Sequence, residues 1–359
     1  MRRCLELAEK GAGFVAPNPL VGAVLVYNDR IIGEGYHQKY GEAHAEVNAI
    51  HQAALSGQVD KISQSTLYVS LEPCAHFGKT PPCSDLIIEK RIPKVVIGCR
   101  DPFKEVNGKG IEKLKATGIE VETGILEKEC KDLNKRFFTF HTQHRPYIIL
   151  KWAQTADDKM AASPPPEGGI YDDSTITRLL ISNDLTNRLV HKWRSEEASI
   201  LVGTNTAMLD DPALTTRLWE GPSPVRLVVD MDLRLPSSLK IFNAEARTII
   251  FNTKKHSEES DKTGIKYYRV TEDTSLVYQV VNALYQLKIQ SVLVEGGAKL
   301  LQSFIDEGMW DEIRTISNKQ LTIGKGLAAP VFNNNTMIKE MNMQNDTIEI
   351  YKNERSIIA

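Results

Sequence analysis

The chain has 359 residues, and because one hydrophobic core rarely serves more than about 250–300 residues, this length predicts two domains. Hydrophobic residues make up 42% and charged residues 25%, and the net charge of -2 gives no indication of a general nucleic-acid-binding surface. No apolar run approaches the roughly 20 residues that span a bilayer, and the N-terminal residues lack the apolar segment of a signal peptide, so we expect a cytoplasmic protein.

The first part of the chain alternates strand and helix patterns. Short apolar runs predict strands at residues 21–27, 31–33, 66–71, 95–98 and 120–123. Helical spacing predicts helices at residues 46–54, 84–90 and 108–117, followed by a polar helical stretch at 127–144. Strands separated by helices favour a mainly parallel sheet with helices on both faces, which is an α/β fold.

We place a domain boundary at Arg145-Pro146, which divides the chain into residues 1–144 and 145–359. The second part repeats the alternation, so we expect a second α/β domain. Its predicted strands lie at residues 147–153, 199–202, 225–230, 248–252, 291–295, 311–317 and 347–352. Its predicted helices lie at residues 184–194, 276–287 and 298–307. Residues 163–169 predict an exposed Pro/Gly loop, and the Asn- and Met-rich segment 328–345 carries no assignment.

Two of the five cysteines belong to a metal-binding pattern. His44 and Glu46 stand at the start of a predicted helix, Cys74 follows Pro73, and Cys83 begins the next predicted helix. One imidazole and two thiolates supply three ligands of a tetrahedral zinc, and a catalytic zinc keeps its fourth position for water. The pattern therefore predicts one zinc ion per chain, bound by His44, Cys74 and Cys83.

The placement of these residues agrees with hydrolytic chemistry. A helix N-terminus carries positive partial charge, which favours thiolate over thiol at Cys83. Zinc lowers the pKa of its water to about 7. Glu46 need not bind the metal, and we expect it to transfer protons as the catalytic residue. Zinc nucleobase deaminases share this signature with a C-x-x-C spacing, whereas here eight residues separate the cysteines.

Other interpretations of the cysteines and of the metal pattern stay open. We interpret Cys4, Cys99 and Cys130 as buried small apolar residues. A histidine, a glutamate and two core cysteines without any metal would also give the pattern, although their joint order is uncommon. A nucleic-acid deaminase of the same zinc fold would need a basic channel and stacking aromatic residues. A purely structural zinc module would need a fourth protein ligand.

The wider motifs resemble one family. Residues 72–83 read EPCAHFGKTPPC, residues 17–24 read PNPLVGAV, and Arg100-Asp101-Pro102 follows a predicted strand. With the His-Ala-Glu-Val of residues 44–47, they resemble the deaminase domain of the bifunctional riboflavin-biosynthesis deaminase/reductase family. The second part is similar to the reductase domain of that family, with matches that include Lys151-Trp152-Ala153, residues 200–203, residues 210–215 and Val294-Glu295-Gly296-Gly297.

The resemblance implies a cytidine-deaminase-like three-layer domain followed by a dihydrofolate-reductase-like domain. It implies zinc-dependent deamination of 2,5-diamino-6-(5-phosphoribosylamino)pyrimidin-4-one, and then reduction of the ribosyl group to ribityl phosphate with NADPH. The implied partners are this small phosphoribosylated pyrimidine and further copies of the chain in a dimer or tetramer. Neither a nucleic acid nor a membrane is expected.

The same resemblance implies the remaining site residues. Deaminase substrate contacts are expected from Asn18, His37, His76, Lys79 and Asp101, and Lys79 stands in a Gly-Lys-Thr turn that suits a phosphate. The implied NADPH contacts are Ala153, Thr206, Asp210, Gly296 and Gly297. The implied reductase substrate contacts are Lys151, Arg194, Leu214, Arg217 and Glu295. We interpret the remaining histidines as structural, namely His51, His141, His144, His191 and His256.

Several features depart from the family pattern, and one of them is Ala156, which stands where the reductase usually has leucine. Asp158 stands where the reductase usually has glycine, Leu180 stands where it has tryptophan, and residues 163–175 lengthen a loop. Phe103 stands where asparagine is common in the deaminase. The sequence therefore leaves open a deaminase with an inactive reductase domain, and the residues alone do not separate NADPH from NADH.

Overall fold

The structure is a computed structural model that describes residues 1–78, 81–162, 179–257 and 263–356. The chain forms two compact units, Met1–His144 and Arg145–Ala359. None of the described helices combines the length and the apolar character that a membrane span requires. The Pro/Gly loop predicted at residues 163–169 lies outside the described residues.

The first unit places helices on both faces of a five-stranded sheet. Its helices are α1 (Arg2–Glu9), α2 (Ala45–Leu55), α3 (Val59–Ile62), α4 (Cys83–Glu89), α5 (Lys109–Ala116), α6 (Glu127–Leu133) and α7 (Lys135–Gln143). Its strands are β1 (Gly22–Tyr27), β2 (Arg30–Tyr36), β3 (Thr66–Leu71), β4 (Lys94–Cys99) and β5 (Glu120–Thr123).

The strand order is β2-β1-β3-β4-β5, and four of these five strands run in the same direction, in agreement with the expected mainly parallel sheet. Strands β3, β4 and β5 run parallel, but β1 is antiparallel to both β2 and β3. The crossover through α2 therefore joins β2 to a strand of the same direction, β3, and passes over the intervening β1. Asn28 and Asp29, with φ of 46° and 59°, form the predicted turn between β1 and β2, because both residue types tolerate the left-handed conformation.

Alternating side chains of β1 face two different layers. Ala23 and Leu25 pack in the core beneath α2, and Val24 packs with Cys4 and Leu7 of α1 on the opposite face. The three-layer arrangement is therefore encoded by apolar residues on both faces of the central strands. Cys4, Cys99 and Cys130 are each at most 1% exposed, as predicted.

The predicted helical stretch at 127–144 is in fact two helices, because the chain departs from helical geometry at Asn134. The Asn134 side chain accepts a hydrogen bond from the Leu20 backbone N–H at 2.8 Å and donates to the Leu20 carbonyl at 2.9 Å. This side chain thus anchors the loop that precedes β1.

The second unit is built on a nine-stranded sheet. Its helices are α8 (Asp184–Glu196), α9 (Thr204–Asp210), α10 (Leu276–Gln286) and α11 (Ala298–Asp306). Its strands are β6 (Tyr147–Thr155), β7 (Lys159–Ala162), β8 (Ser199–Gly203), β9 (Val225–Val229), β10 (Thr248–Asn252), β11 (Ile265–Arg269), β12 (Ser291–Gly296), β13 (Glu312–Asn318), β14 (Gly326–Ala328), β15 (Asn335–Met343) and β16 (Asp346–Asn353).

The strand order is β11-β10-β9-β8-β12-β6-β13-β16-β15, and β7 pairs separately with β14. All pairings from β11 to β13 are parallel, and β16 and β15 continue the sheet in antiparallel fashion. The segment without an assignment contains β15. In parallel α/β sheets, ligands bind at the carboxyl ends of the strands, and the ends of β6, β8 and β12 meet at one such edge.

Helices cover both faces of the parallel part of this sheet. Apolar residues of α10 and α11, including Leu284 and Phe304, pack on one face with Leu150, while Val190 and Trp193 of α8 pack on the other. The central strands are continuous apolar runs because both of their faces are buried.

Candidate active sites

Three potential metal ligands converge in the first unit. His44 is the residue before α2, Cys74 lies in the loop after β3, and Cys83 is the first residue of α4. Their ligand atoms all lie within 4.8 Å of one another. The Nδ1 atom of His44 is 3.6 Å from the Cys74 Sγ and 3.3 Å from the Cys83 Sγ.

These distances fit a zinc ion. Zinc–sulfur bonds of about 2.3 Å and zinc–nitrogen bonds of about 2.0 Å, at tetrahedral angles, separate N and S ligand atoms by about 3.5 Å. The donor set of one imidazole and two thiolates is also one that zinc favours. Hydrogen bonds from Cys83 and His44, against the effect of burial, lower the pKa of the Cys74 thiol to about 4.

The start of α4 holds Cys74 in place. The backbone N–H of Cys83 donates to the Cys74 Sγ at 3.3 Å, and the N–H of Ser84 donates to the Cys74 carbonyl at 3.1 Å. Pro82, with φ of -60° and extended ψ, sets the direction in which the helix begins. One free N–H group of the helix N-terminus therefore stabilises a thiolate at Cys74, and a second holds the backbone of the same residue.

Glu46 lies in the first turn of α2, two residues after His44. Its side chain is only 3% exposed, and its carboxyl group interacts with the Cys83 thiol. Burial raises the pKa of this carboxyl group. A carboxyl group that is close to the ligand cluster and readily protonated is suited to proton transfer.

His37 and Asn18 form a hydrogen-bonded pair beside this cluster. The Nδ1 atom of His37 lies 3.0 Å from the Ala43 carbonyl, and its Nε2 lies 3.0 Å from the Asn18 Nδ2. Because a carbonyl only accepts, Nδ1 carries the proton, and Nε2 then accepts from the Asn18 amide. Burial lowers the pKa of His37, which favours this neutral form. Both ring nitrogens of His37 are thus occupied, and the Asn18 amide uses its Nδ2 for this contact.

The other expected deaminase contacts lie in neighbouring loops. Asp101 is 6% exposed, accepts the backbone N–H of Phe103 at 2.7 Å, and has a pKa raised to about 7 by burial. The Nδ1 of His76 is buried and has no hydrogen-bond partner among the described residues, and its ring lies 6.1 Å from that of Phe103. Phe103 also contacts His141, at 5.0 Å between ring centroids. Lys79 lies outside the described residues.

In the second unit, three of the expected substrate residues form a buried charge cluster. Glu295 in β12 accepts two hydrogen bonds from Arg194 of α8, at 2.9 and 2.7 Å, and its carboxylate is 3.9 Å from the Lys151 Nζ. Burial raises the pKa of Glu295, but the charges of Arg194 and Lys151 outweigh it and hold the pKa at about 2. Burial lowers the pKa of Lys151.

The expected cofactor residues include a glycine turn at the end of β12. Gly296 has φ of 157°, and Gly297 precedes α11. A Cβ atom added at Gly296 would lie 3.1 Å from the Thr206 Oγ1, and one at Gly297 would lie 3.3 Å from it. The three residues therefore line one cradle, whose free backbone and helix N-terminus fit a phosphate group of a dinucleotide. Asp210 ends α9, the helix that contains Thr206.

The remaining expected reductase residues differ in what they can offer a ligand. Ala153 lies near the end of β6 and is partly buried. Leu214 is 2% exposed with φ of 53°, so its side chain packs in the core and only its backbone can meet a substrate. Arg217 donates its backbone N–H to the Nδ1 of His191 at 2.9 Å.

His191 was not among the expected site residues. It is buried three residues before Arg194 on α8, and burial, together with the charges of Arg194 and Arg217, lowers its pKa to about 4. The spacing of three residues, which places both side chains on one helix face, was the available signal.

Two of the departures now have a structural context. Asp158 has φ of 57°, the left-handed conformation in which glycine is favoured and which Asp tolerates, and its carboxylate accepts from Gln154 at 2.8 Å. Its backbone thus adopts a conformation that glycine would also adopt. Leu180 is 73% exposed, and residues 163–175 lie outside the described residues.

Comparisons with known proteins assign each of the two parts of the chain to a family. Residues 1–99 match the family model of the cytidine and deoxycytidylate deaminase zinc-binding region, and residues 146–354 match that of the RibD C-terminal domain. The riboflavin biosynthesis protein RibD of Aquifex aeolicus is 41% identical over 330 residues, which cover 91% of this chain and 88% of that protein. RibD of Bacillus amyloliquefaciens is 40% identical over 319 residues, 87% of this chain and 82% of the relative.

Solved structures show the same arrangement along the chain. The crystal structure of a diaminohydroxyphosphoribosylaminopyrimidine deaminase/5-amino-6-(5-phosphoribosylamino)uracil reductase from Thermotoga maritima is 36% identical, with a TM-score of 0.84. The two chains cover 98% and 97% of each other. RibD of Acinetobacter baumannii is 30% identical, also with a TM-score of 0.84.

Fold and sites together define a zinc-dependent deaminase domain of the cytidine deaminase type, followed by a reductase domain with a dihydrofolate-reductase-like fold. The chain belongs to the RibD family of bifunctional riboflavin biosynthesis proteins. The expected fold class and family are thereby confirmed, as are zinc and NADPH as the cofactors of the two domains. Neither the inactive-reductase hypothesis nor the nucleic-acid alternative gains support from these likenesses.

Proposed function

We propose that the chain deaminates 2,5-diamino-6-(5-phosphoribosylamino)pyrimidin-4-one and then reduces the ribosyl group of the product to ribityl phosphate with NADPH. The observation that carries this proposal is the convergence of His44, Cys74 and Cys83 on one point beside the buried Glu46. The activities in the name of the similar Thermotoga maritima protein agree with it.

In the deaminase site, we assign His44, Cys74 and Cys83 as zinc ligands. Zinc bound there supplies a Lewis acid that lowers the pKa of water to about 7. Glu46 is assigned as the catalytic residue, because its carboxyl group can accept a proton from the attacking water and deliver it to the departing nitrogen. The C–N bond to the exocyclic amine breaks, and ammonia leaves.

Substrate recognition in this site follows from the polar groups around the ligands. The Oδ1 of Asn18 is an acceptor for an N–H of the pyrimidine, and His37 holds the amide in this orientation. The buried Nδ1 of His76 and the buried carboxyl of Asp101 are further polar contacts. Lys79 is assigned to the substrate phosphate, on the basis of its charge and its Gly-Lys-Thr context.

In the reductase site, we assign Gly296, Gly297 and Thr206 to a phosphate of NADPH, with Ala153 and Asp210 on the same cofactor. NADPH supplies the hydride when bound. The substrate residues are Lys151, Arg194, Leu214, Arg217 and Glu295. The lowered pKa of Lys151 suits it to give up a proton from its Nζ, and the Arg194 guanidinium fixes the Glu295 carboxylate next to it.

Metal analysis with separate assays tests the proposal. Purified protein should contain about one zinc per chain. The Cys74→Ser variant should contain no zinc and should no longer release ammonia. Cys74→Ser should still oxidise NADPH when the deaminated product is supplied. A wild-type protein that releases ammonia after complete removal of zinc would overturn the assignment.

The cellular location and the assembly are proposed from the cysteines and from one exposed strand. We place the enzyme in the cytoplasm, since none of its five cysteines, all of them among the described residues, forms a disulfide, as a reducing compartment favours. A dimer or tetramer is supported by the exposed apolar residues of β15, Met337 and Ile338, on the outermost strand of the large sheet. Light scattering of the purified chain would measure the assembly.

A further inference from the structure

Glu72 is a buried carboxylate that has no role in the two reactions as described above. It follows β3 directly and is 4% exposed. Its two carboxylate oxygens accept four backbone N–H groups, from Gly108 at 2.9 Å, Gly110 at 3.0 Å, Asp101 at 3.3 Å and Ile111 at 3.3 Å. Such charge-assisted hydrogen bonds are stronger than neutral ones, and they compensate the burial of the charge.

Three of the four donors belong to the start of α5. Gly108 precedes the helix, and Gly110 and Ile111 lie in its first turn. The first N–H groups of a helix have no partner within it and carry positive partial charge. The Glu72 carboxylate supplies both the missing acceptors and the opposite charge, from a residue far away in sequence. Its hydrogen bonds therefore hold the N-terminus of α5 against the end of β3.

The helix start also lies directly against the backbone that leads to the metal site. A Cβ atom at Gly110 would collide with the carbonyl oxygen of Pro73, so the two backbones are in close contact. Pro73 is the residue between Glu72 and Cys74. On its other side, Glu72 donates its own N–H to the Cys99 carbonyl of β4 at 3.0 Å.

We propose that Glu72 is a positioning residue that sets the place of Cys74 and Asp101 in the deaminase site. This inference rests on the proposed function, which makes Cys74 a zinc ligand and Asp101 a substrate contact. One carboxylate joins the loop of the ligand, the loop of Asp101 and the start of α5. Metal–ligand distances must hold within about 0.2 Å, so a small movement of this loop weakens zinc binding.

The Glu72→Gln variant tests the role most directly. A glutamine has one acceptor oxygen, and its NH₂ group would face N–H donors. Outer contacts that orient metal sites typically change affinity or activity by about 10–100-fold when they are lost. We expect zinc release to a chromophoric chelator to become about 10–100-fold faster, with a similar fall in kcat for ammonia release. Glu72→Asp keeps the charge and both oxygens, and it should recover part of the loss.

A matched control separates positioning from general destabilisation. Leu114 is fully buried on α5 itself, so Leu114→Ala weakens the packing of the helix but leaves its start bound to Glu72. At a temperature where both variants are folded by circular dichroism, Leu114→Ala should release zinc at nearly the wild-type rate. NADPH oxidation with the deaminated product, measured in the same full-length chains, should be unchanged in both variants.

The outcomes are distinct. Glu72→Gln with wild-type zinc release and ammonia formation would overturn the positioning role while leaving the zinc assignment intact. Equal acceleration of zinc release in Glu72→Gln and Leu114→Ala would also overturn it, because the effect would then come from stability alone. A wild-type chain that binds no zinc would instead remove the proposed function on which the inference rests.

Discussion

The buried carboxyl groups of the two sites have pKa values that are shifted in opposite directions. In the deaminase domain, burial is the largest effect on the carboxyl groups of Glu46 and Asp101, and it raises the pKa of both, to about 7 for Asp101. In the reductase domain, Glu295 is equally buried but is paired with Arg194 and Lys151, and its pKa falls to about 2. The first arrangement suits proton transfer near neutral pH, and the second suits a fixed charge that orients a ligand.

The sites also differ in how far apart their residues lie in the chain. The deaminase ligands come from two short motifs next to helix N-termini, and their ligand atoms already lie close to one another. Arg194 and Glu295 are 101 residues apart, and parallel pairing of β12 with its neighbours brings them together. The comparison suggests that the first site depends on a metal and on local geometry, and the second on the sheet. Four predictions test this difference between the two sites.

The largest effect is expected for Glu46→Gln. The amide cannot transfer the proton, so ammonia release should fall by about 10²–10⁴-fold. Bound zinc, measured by metal analysis, and NADPH oxidation with the deaminated product should stay at wild-type levels. Ammonia release within tenfold of wild type would remove Glu46 from its catalytic role.

Glu295→Gln should be the most damaging change to the stability of the second domain. It leaves the charges of Arg194 and Lys151 buried without a counter-charge, which costs about 3–5 kcal/mol. All four tryptophans lie in this unit, so their fluorescence during urea unfolding reports on it alone. The exposed Glu272→Gln is the matched control and should change little. Equal urea midpoints for the two variants would contradict the account.

The same carboxylate should make the second domain sensitive to acid. Because the pKa of Glu295 is depressed from 4.5 to about 2 in the folded state, its contribution is complete above the unfolded value and declines as pH falls through this interval. A depression of this size corresponds to about 3 kcal/mol. Urea midpoints are measured by tryptophan fluorescence between pH 5 and 3, values chosen to sample this window. The midpoint of the wild type should fall more steeply with decreasing pH than that of Glu295→Gln. Parallel curves would count against the depressed pKa.

The smallest effect is expected for Asp158→Gly. The backbone there is already left-handed, so glycine fits without strain, and the two residues should differ by about 1 kcal/mol or less. NADPH oxidation should stay within twofold of wild type. A large gain in reductase rate would instead favour the hypothesis that Asp158 impairs this domain.

Much of the fold was accessible from the sequence, because apolar periodicity is local. The strands at residues 66–71, 120–123 and 248–252 were predicted with the observed bounds. The outer strand β15 was not predicted, since its residues are mostly exposed and carry no apolar alternation. The antiparallel placement of β1 was missed because strand direction depends on a partner distant in sequence.

The same distinction between local and distant signals applies to the two sites. The cluster of His44, Cys74 and Cys83 was accessible from the sequence because helix starts and short spacings carry the signal, and their roles and that of Glu46 stay predictions. The hydrogen bonds of Glu72 to residues 101–111 and of His191 to Arg217 depend on tertiary contacts, which no local pattern encodes. The family resemblance named Leu214, but only the structure shows that its side chain is buried.

One paired assay tests the central claim that the chain carries two working sites. The purified enzyme is given 2,5-diamino-6-(5-phosphoribosylamino)pyrimidin-4-one with and without NADPH, and ammonia and NADPH are followed separately. The account predicts ammonia release in both cases, and NADPH oxidation that begins only after ammonia appears. In the presence of NADPH, NADPH oxidation without ammonia release, or ammonia release with no NADPH oxidation at all, would contradict it.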